Sequence, residues 1–244
     1  MQVQSKKKII IVGDSVTYGH GCSDREYYFD HANKKPVGQA FTTEPPSQYC
    51  WPSLLSQRFP NLEIVNLARS GYANDVMTSS LINYINTGVL VADLVIFQAT
   101  YSDRMAIASF EFPGEICSWG MTWKSRILEH KNTTDAKKSY MQFLYNEKVG
   151  VNRTIQSSMT GLSIANLINA KFAFSIPKGD TAESQKIFDR LSSNRIQSLH
   201  GMMQSLPGKW ETCLAVDGHP NEAGHEHYLN NHIIPMLNKL EILC

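Results

Sequence analysis

The amino-acid sequence predicts a single α/β domain built on a mostly parallel sheet, with helices on both of its faces. Short apolar runs alternate along the 244-residue chain with longer segments of helical character, which is the order expected when crossover helices connect parallel strands. The first run, residues 8–12, is rich in β-branched residues, as in strands that are buried on both faces. Neither a repeat nor a linker interrupts residues 1–244, so one domain accounts for the whole chain.

Each predicted element rests on a local pattern. Pro52 suits the first turn of a helix, Asn74 or Asp75 is the predicted N-cap of a second helix, and Asn221 is the predicted N-cap of the last one. Strands are predicted at residues 8–12, 63–67, 93–97 and 171–176, and helices at residues 51–59, 74–88, 152–169, 183–205 and 221–240.

In two segments, the apolar residues show neither the helical nor the strand periodicity. Residues 22–50 are polar, aromatic and proline-bearing, and they are predicted as a long loop that could line a site. Residues 104–150 are poorly periodic and are predicted as an irregular insertion within the domain.

Composition and charge exclude several classes of protein. The formal net charge is +1, so the chain as a whole is not expected to bind nucleic acid. The apolar run at residues 9–12 is too short for the core of a signal peptide, and no stretch approaches the roughly 20 apolar residues of a membrane helix. We therefore expect no membrane partner, and a location in the cytoplasm or within a larger assembly such as a virus particle. The sequence does not decide the oligomeric state.

The cysteine pattern favours free thiols. The five cysteines include no CxxC pair, and their number is odd. We expect mostly buried thiols in a reducing compartment, with a single disulfide plus spare thiols as the alternative.

Polar residues with catalytic potential follow three predicted strands and precede the last helix. Because ligands bind beyond the carboxyl ends of parallel strands, these residues are expected to converge at one edge of the sheet. The strands are followed by residues 13–19 (GDSVTYG), by Ser70-Gly71 and by Gln98-Ala99-Thr100-Tyr101, and the last helix is preceded by Asp217-Gly218-His219-Pro220-Asn221.

A serine, a histidine and a carboxylate are the groups that acyl transfer through a covalent intermediate requires. A serine hydroxyl is a poor nucleophile unless a base removes its proton during attack. Histidine suits this task because it titrates near neutral pH, and a carboxylate orients the histidine and stabilises its cation. Backbone N–H groups then stabilise the oxyanion of the tetrahedral intermediate.

Three blocks of the sequence resemble those of SGNH/GDSL hydrolases. They are Gly13-Asp14-Ser15, the NLARSG run at residues 66–71, and the DGHPNEAGH run at residues 217–225. Their order is that of the family, and the likeness extends from residue 9 to about residue 237. The resemblance implies a flavodoxin-like three-layer α/β/α sandwich and a serine hydrolase that acts on carboxylic ester bonds, without a metal or cofactor.

The resemblance also implies a role for each site residue. Ser15 would be the nucleophile, His219 the general base and Asp217 the acid that orients it, although these last two lie two positions apart rather than the more usual three. The backbone N–H groups of Ser15 and Gly71 would form the oxyanion hole.

The third block departs from the family pattern. It is normally Gly-x-Asn-Asp, with the asparagine side chain as an oxyanion donor, and Thr100 stands at the place of that asparagine. A threonine hydroxyl can donate but reaches less far, and Gln98, Asn74 or Arg104 are the alternative donors. Losing one such donor typically costs about 10²–10³ in rate.

These patterns predict a serine esterase or deacetylase that hydrolyses a small acyl ester, with an acetyl ester on a carbohydrate as the preferred substrate. An O-acyltransferase with the same triad is one alternative, and a non-catalytic glycan-binding module of the same fold is another. A metal site at His225, His227 and His232 is not expected, because no two of these residues are four positions apart as in HExxH. Gly19-x-Gly21 lacks the third glycine of a dinucleotide site.

Overall fold

The computed structural model describes residues 6–25, 28–30, 35–37, 45–89, 91–102, 104–108, 116–119, 147–176, 196, 198–199, 202, 212–215 and 218–243. The strands in these ranges are β1 (Lys7–Val12), β2 (Tyr28–Asp30), β3 (Lys35–Val37), β4 (Leu62–Asn66), β5 (Leu94–Gln98), β6 (Met105–Ala108), β7 (Ile116–Trp119) and β8 (Lys171–Ser175). The helices are α1 (Ser15–Tyr18), α2 (Trp51–Arg58), α3 (Asn74–Asn86), α4 (Glu147–Leu167), α5 (Glu222–Tyr228) and α6 (Ile234–Lys239).

Four of the strands pair in parallel in the order β4-β1-β5-β8. Numbered along the chain within this sheet, the order is 2-1-3-4, which is that of flavodoxin-like folds. The next strand of the sheet along the chain, β4, lies on one side of β1, and the strand after it, β5, lies on the other side. The connections therefore diverge between β1 and β5. Ligands bind at the carboxyl ends of the strands that flank such a point. The predicted parallel, flavodoxin-like sheet is confirmed.

Alternate residues of β1 face two separate hydrophobic cores, so helices cover both faces of the sheet. Ile9 and Ile11 pack in one core with residues of α2, α5 and α6, whereas Ile10 and Val12 pack in the other with residues of α3 and α4. All four side chains are fully buried, and burial of each such side chain stabilises the fold by about 1.5–3 kcal/mol. The three-layer arrangement is therefore confirmed, and β1 is a firm base for the turn that follows it.

The segments predicted as irregular contain short strands. Within residues 22–50, β2 and β3 form an antiparallel pair, and within residues 104–150 β6 pairs with β7 in the same way. Each of these strands has only three or four residues, which is too short for an alternating pattern to be recognised. The prediction of a long loop at residues 22–50 was wrong for the six residues of β2 and β3.

The N-cap predicted for the second helix is also corrected. The N-cap of α3 is Ala73, which offers no side-chain cap, and Asn74 is the first residue of the helix. The amide of Asn74 instead bonds to the backbone of Thr100, accepting from its N–H at 2.8 Å and donating to its carbonyl at 3.1 Å. A tertiary contact that sequence cannot reveal thus replaces the local one.

The last predicted helix begins as expected but is not continuous. Asn221 caps α5 by accepting a hydrogen bond of 3.1 Å from the N–H of Gly224, as predicted. A π-helical turn, Leu229–Ile233, then separates α5 from α6. We attribute this turn to Pro235, which has no N–H to donate and whose ring clashes with the carbonyl four residues earlier in an α-helix.

Other predictions fall partly outside the described residues. Most of the predicted helix at 183–205 and most of the segment 104–150 lie there. In the ranges given above, no helix combines the length and apolar character needed to cross a membrane. Cys22, Cys50 and Cys213 are free and buried, in agreement with the predicted free thiols, and burial raises the pKa of the Cys22 thiol to about 12 and that of Cys50 to about 11.

Candidate active site

Ser15 lies at the start of α1, three residues beyond the end of β1, at the divergence point of the sheet. The N-cap of this short helix is Asp14, whose carboxylate accepts a hydrogen bond of 3.0 Å from the N–H of Val16. The Ser15 side chain sits between a strand end and a helix start, and the residue is 3% exposed. Its position is therefore fixed from both sides.

His219 faces this serine across a distance of 204 positions in the chain, with Nε2 lying 3.1 Å from the Oγ of Ser15. The histidine occupies a tight turn before α5, in which the N–H of Ala215 donates to the carbonyl of His219 at 2.8 Å. Beyond the turn, the N–H of Asn221 donates to the carbonyl of Cys213 at 3.0 Å. The distance between serine and histidine suits proton transfer. Asp217 lies outside the described residues, so its role stays a prediction.

The loop predicted to hold the oxyanion donor Gly71, residues 66–71, runs beside the turn that carries Ser15. Beyond β4 the backbone continues to pair with β1 and with the turn that follows it. The N–H of Leu67 donates to the carbonyl of Ile11 at 2.8 Å, and the N–H of Arg69 donates to the carbonyl of Gly13 at 3.3 Å. Gly71 follows with a φ of 80°, a conformation that side chains disfavour. The pairing brings this glycine to the same edge of the sheet as Ser15.

A buried ion pair supports the residue before the nucleophile. The hydroxyl of Thr100 donates to the Asp14 carboxylate at 2.6 Å, and the guanidinium of Arg104 donates to the same oxygen at 2.9 Å. The side chains of Arg104 and Asp14 are only 12% and 10% exposed. The single hydroxyl proton of Thr100 is thus directed at Asp14, and the third oxyanion position stays a prediction.

Two of the alternative donors are also engaged in buried hydrogen bonds. The carbonyl oxygen of Gln98 accepts from the Trp51 indole at 3.1 Å and from the Thr17 hydroxyl, and its amide donates to the hydroxyl of Tyr228 at 2.7 Å. Asn74 holds the Thr100 backbone, as described above. Among the described residues, Arg104 alone of the three alternatives keeps a buried donor without a partner, its Nε.

His20 also contacts the site, although it is not among the residues that the sequence predicts for it. Its ring stacks on that of His219, with centroids 4.3 Å apart and planes inclined by 16°. Its Nδ1 shares a hydrogen bond of 3.1 Å with the hydroxyl of Ser70. Gly21 approaches the same histidine so closely that a Cβ there would lie 2.8 Å from the Cβ of His219. The glycine at this position was the one local signal of such a contact.

A small pocket opens beside the turn that carries Ser15, although neither Ser15 nor His219 is among its lining residues. It is bounded by the Ser15 turn and the ends of β5 and β8. The hydroxyl of Ser175 on its wall is buried and has no hydrogen-bond partner among the described residues. The lining residues are Asp14, Val16, Thr17, Gln98, Ala99, Tyr101, Ser175, Ser198 and Leu199.

His225, near the start of the last helix, has a structural role that the sequence did not suggest. His225 is fully buried, and its Nδ1 accepts a hydrogen bond of 3.2 Å from the N–H of Trp51, the first residue of α2. Burial lowers the pKa of His225 to about 3, so the ring is neutral and serves as a cap for a helix whose own N-cap, Cys50, provides none. Among the described side chains, no group of three histidine, cysteine or acidic residues could hold a metal ion.

No protein-family model and no curated protein sequence matches the chain. Solved structures do match. An acetyl xylan esterase, Est2A from Butyrivibrio proteoclasticus, aligns with 99% of this chain and 67% of its own at 11% identity and a TM-score of 0.55. LAE5, an α/β hydrolase from the Lake Arreo metagenome, aligns over 98% and 96% at 16% identity and a TM-score of 0.52. The esterase EstA from Pseudoalteromonas aligns over 96% and 98% at 11% identity and a TM-score of 0.52.

These likenesses define the class of fold. The chain shares the α/β fold of these three structures, which align with 96–99% of its length. The fold that the resemblance to SGNH/GDSL hydrolases implies is therefore confirmed.

Proposed function

We propose that this protein is a serine esterase that hydrolyses a small acyl ester, with an acetyl group on a carbohydrate as the preferred substrate. The observation that carries the proposal is the 3.1 Å separation of the Ser15 hydroxyl and His219 Nε2, at the point of the sheet where ligands bind. A histidine at hydrogen-bond distance from a serine is the pair that acyl transfer uses.

The chemistry follows from this pair. The Oγ of Ser15 attacks the ester carbonyl carbon while Nε2 of His219 takes the hydroxyl proton. The tetrahedral intermediate collapses as His219 returns that proton to the leaving alcohol oxygen, which leaves an acyl group on Ser15. Water then attacks the acyl carbon while His219 takes its proton. The second tetrahedral intermediate breaks its bond to the Oγ of Ser15, to which His219 returns the proton, and the acid and free enzyme are released. Asp217 would orient His219, and the N–H groups of Ser15 and Gly71 would stabilise the oxyanion.

The substrate preference rests on the structural neighbours. One neighbour is an acetyl xylan esterase, and another is a family two carbohydrate esterase from Clostridium thermocellum that was solved with cellohexaose (12% identity, TM-score 0.52, covering 97% of this chain and 65% of that one). Both support a carbohydrate ester as the first substrate to test.

A second candidate is a non-catalytic glycan-binding module. It is favoured by one contact, because the Thr100 hydroxyl donates to Asp14 at the position where an oxyanion donor is expected. Such a module would bind a glycan without turnover.

Acetate release from p-nitrophenyl acetate and from acetylated xylan tests the proposal. We expect turnover by wild type and a loss of at least about 10³-fold in Ser15→Ala. Ser56→Ala, which removes an exposed serine of α2, should retain full activity. Binding of deacetylated xylan without turnover by wild type would favour the binding module, and transfer of acetyl to an added sugar in preference to water would indicate an acyltransferase.

A further inference from the structure

One residue contacts all three parts of the candidate active site. The backbone N–H of His20 donates to the carbonyl of Ser15 at 3.0 Å. Its ring stacks on His219, and its Nδ1 shares a hydrogen bond with Ser70, the residue before Gly71. His20 is 6% exposed, so these contacts are made inside the protein.

The stacked ring acts on the orientation of His219. An imidazole can rotate about two side-chain torsions, and a rotation of the ring moves Nε2 away from the serine. The ring centroids of His219 and His20 lie 4.3 Å apart, with the ring planes inclined by 16°, and this stacking opposes such a rotation. Gly21 adds a backbone wall against the Cβ of His219. Together, residues 20 and 21 restrict the movement of the His219 side chain on the side that faces the turn of Ser15.

The hydrogen bond to Ser70 fixes the stacking ring in turn. Ser70 belongs to the loop that pairs with the Ser15 turn through the Arg69 N–H. A shift of this loop would therefore move the ring of His20, and with it the ring of His219. The contact links the position of the base to the position of the predicted oxyanion donor.

We propose that His20 is a positioning residue that holds His219 in line with Ser15 and couples it to the Ser70–Gly71 loop. This inference rests on the proposed function, since positioning matters for turnover only if Ser15 and His219 react. His20 itself does not transfer a proton in this account. Its contribution is geometric, and misplacing a reacting group by about 1 Å can cost about 10²-fold in rate.

Three variants separate the contacts. His20→Phe keeps a flat ring on His219 and loses the hydrogen bond to Ser70, whereas His20→Ala loses both contacts. Ser70→Ala keeps the stack and loses only the hydrogen bond. With p-nitrophenyl acetate, we expect kcat to fall about 10²-fold in His20→Ala and less than about 10-fold in the other two, with KM within about threefold of wild type in all three.

Labelling of Ser15 by a fluorophosphonate gives a second readout that does not depend on substrate binding. The labelling rate should fall in the same order as kcat, with partial rescue by phenylalanine. If His20→Ala does not fold, as judged by its urea unfolding curve, the pair His20→Phe and Ser70→Ala carries the test. Wild-type kcat and labelling rates in all folded variants would overturn the inference.

Proton NMR of the histidine rings separates this inference from the proposed function. A stacked neighbour shifts the ring protons of His219, and we expect those resonances to move toward free-histidine positions in His20→Ala, with Gly88→Ala as an unaffected control. If wild type neither turns over nor labels but shows the shift, the proposed function fails and the positioning contact stands. If the His219 resonances are unchanged in His20→Ala, the contact itself is wrong.

Discussion

The hydroxyl of Thr100 donates a hydrogen bond of 2.6 Å to the carboxylate of Asp14, the residue before the proposed nucleophile. Together with the ion pair from Arg104, this bond ties the end of β5 to the start of α1. These are the two places that flank the divergence point of the sheet. The position of Ser15 therefore depends on residues that follow a different strand.

Thr100→Val should reduce stability more than activity. The change removes a hydrogen bond to a charged group at nearly constant shape, so the free energy of unfolding should fall by about 1.5–3 kcal/mol in urea. The value of kcat/KM should fall less than about 10-fold, because the hydroxyl proton is directed at Asp14. Thr87→Val, which removes an exposed bond to Tyr84, is the control. A loss of about 10²–10³-fold in a folded variant would instead make Thr100 an oxyanion donor.

Arg104→Met should be strongly destabilising. It leaves the Asp14 carboxylate buried without its cation, and the loss of one partner of such a pair costs about 3 kcal/mol or more. Arg58→Met is the matched control, since Arg58 forms an ion pair of 2.8 Å with Glu226 in which the side chains are 37% and 53% exposed. That exposed pair should contribute less than about 1 kcal/mol. Equal losses in the two urea unfolding curves would contradict the importance of the buried pair.

His225 should make the protein less stable as the pH falls below 6. Its pKa is about 3 in the folded protein against 6.5 for an unperturbed side chain, so between these values the unfolded state binds more protons than the folded state. Stability is then retained above pH 6.5 and lost as the pH decreases, by up to about 1.4 kcal/mol per pH unit.

His225→Asn isolates this effect. The asparagine oxygen can replace Nδ1 as the acceptor for the Trp51 N–H, but it does not titrate. Urea midpoints measured at pH 7, 6, 5 and 4 should therefore decrease less steeply in this variant than in wild type. Parallel pH dependences would show that His225 is not the group responsible.

Gly21→Ala should reduce activity, whereas Gly88→Ala should not. Both glycines have positive φ, 104° and 99°, so each alanine costs about 1–2 kcal/mol in backbone strain. A Cβ at Gly21 also meets the Cβ of His219 and the carbonyl of Pro220 at 2.8 Å, while a Cβ at Gly88 meets nothing within 4 Å. We expect kcat to fall at least about 10-fold in Gly21→Ala and to stay at the wild-type value in Gly88→Ala. Equal activity in both variants would mean that His219 tolerates displacement.

The sequence predicted the elements whose signal is local. The apolar runs of β1, β4, β5 and β8 and the N-cap Asn221 rest on patterns of a few neighbouring residues, and the order of strands and helices was enough to predict a parallel sheet. The short pairs β2–β3 and β6–β7 were missed because three or four residues carry no readable period.

Tertiary contacts could not be predicted in the same way. Asn74 has the composition of an N-cap but bonds to Thr100, 26 positions away. His20 has no motif around it that announces a stack on His219, 199 positions further along the chain. Such contacts depend on which loops meet at the sheet edge, and a single sequence gives no information on that beyond the order of the strands.

The most direct test of the account is the reaction of Ser15 with a fluorophosphonate, located by peptide mass spectrometry in wild type and in His219→Ala. The 3.1 Å contact between these residues predicts modification of Ser15 in wild type and at least about 10²-fold slower modification in the variant. Modification of another serine, or equal rates in the two proteins, would contradict the assignment of Ser15 as nucleophile and His219 as its base.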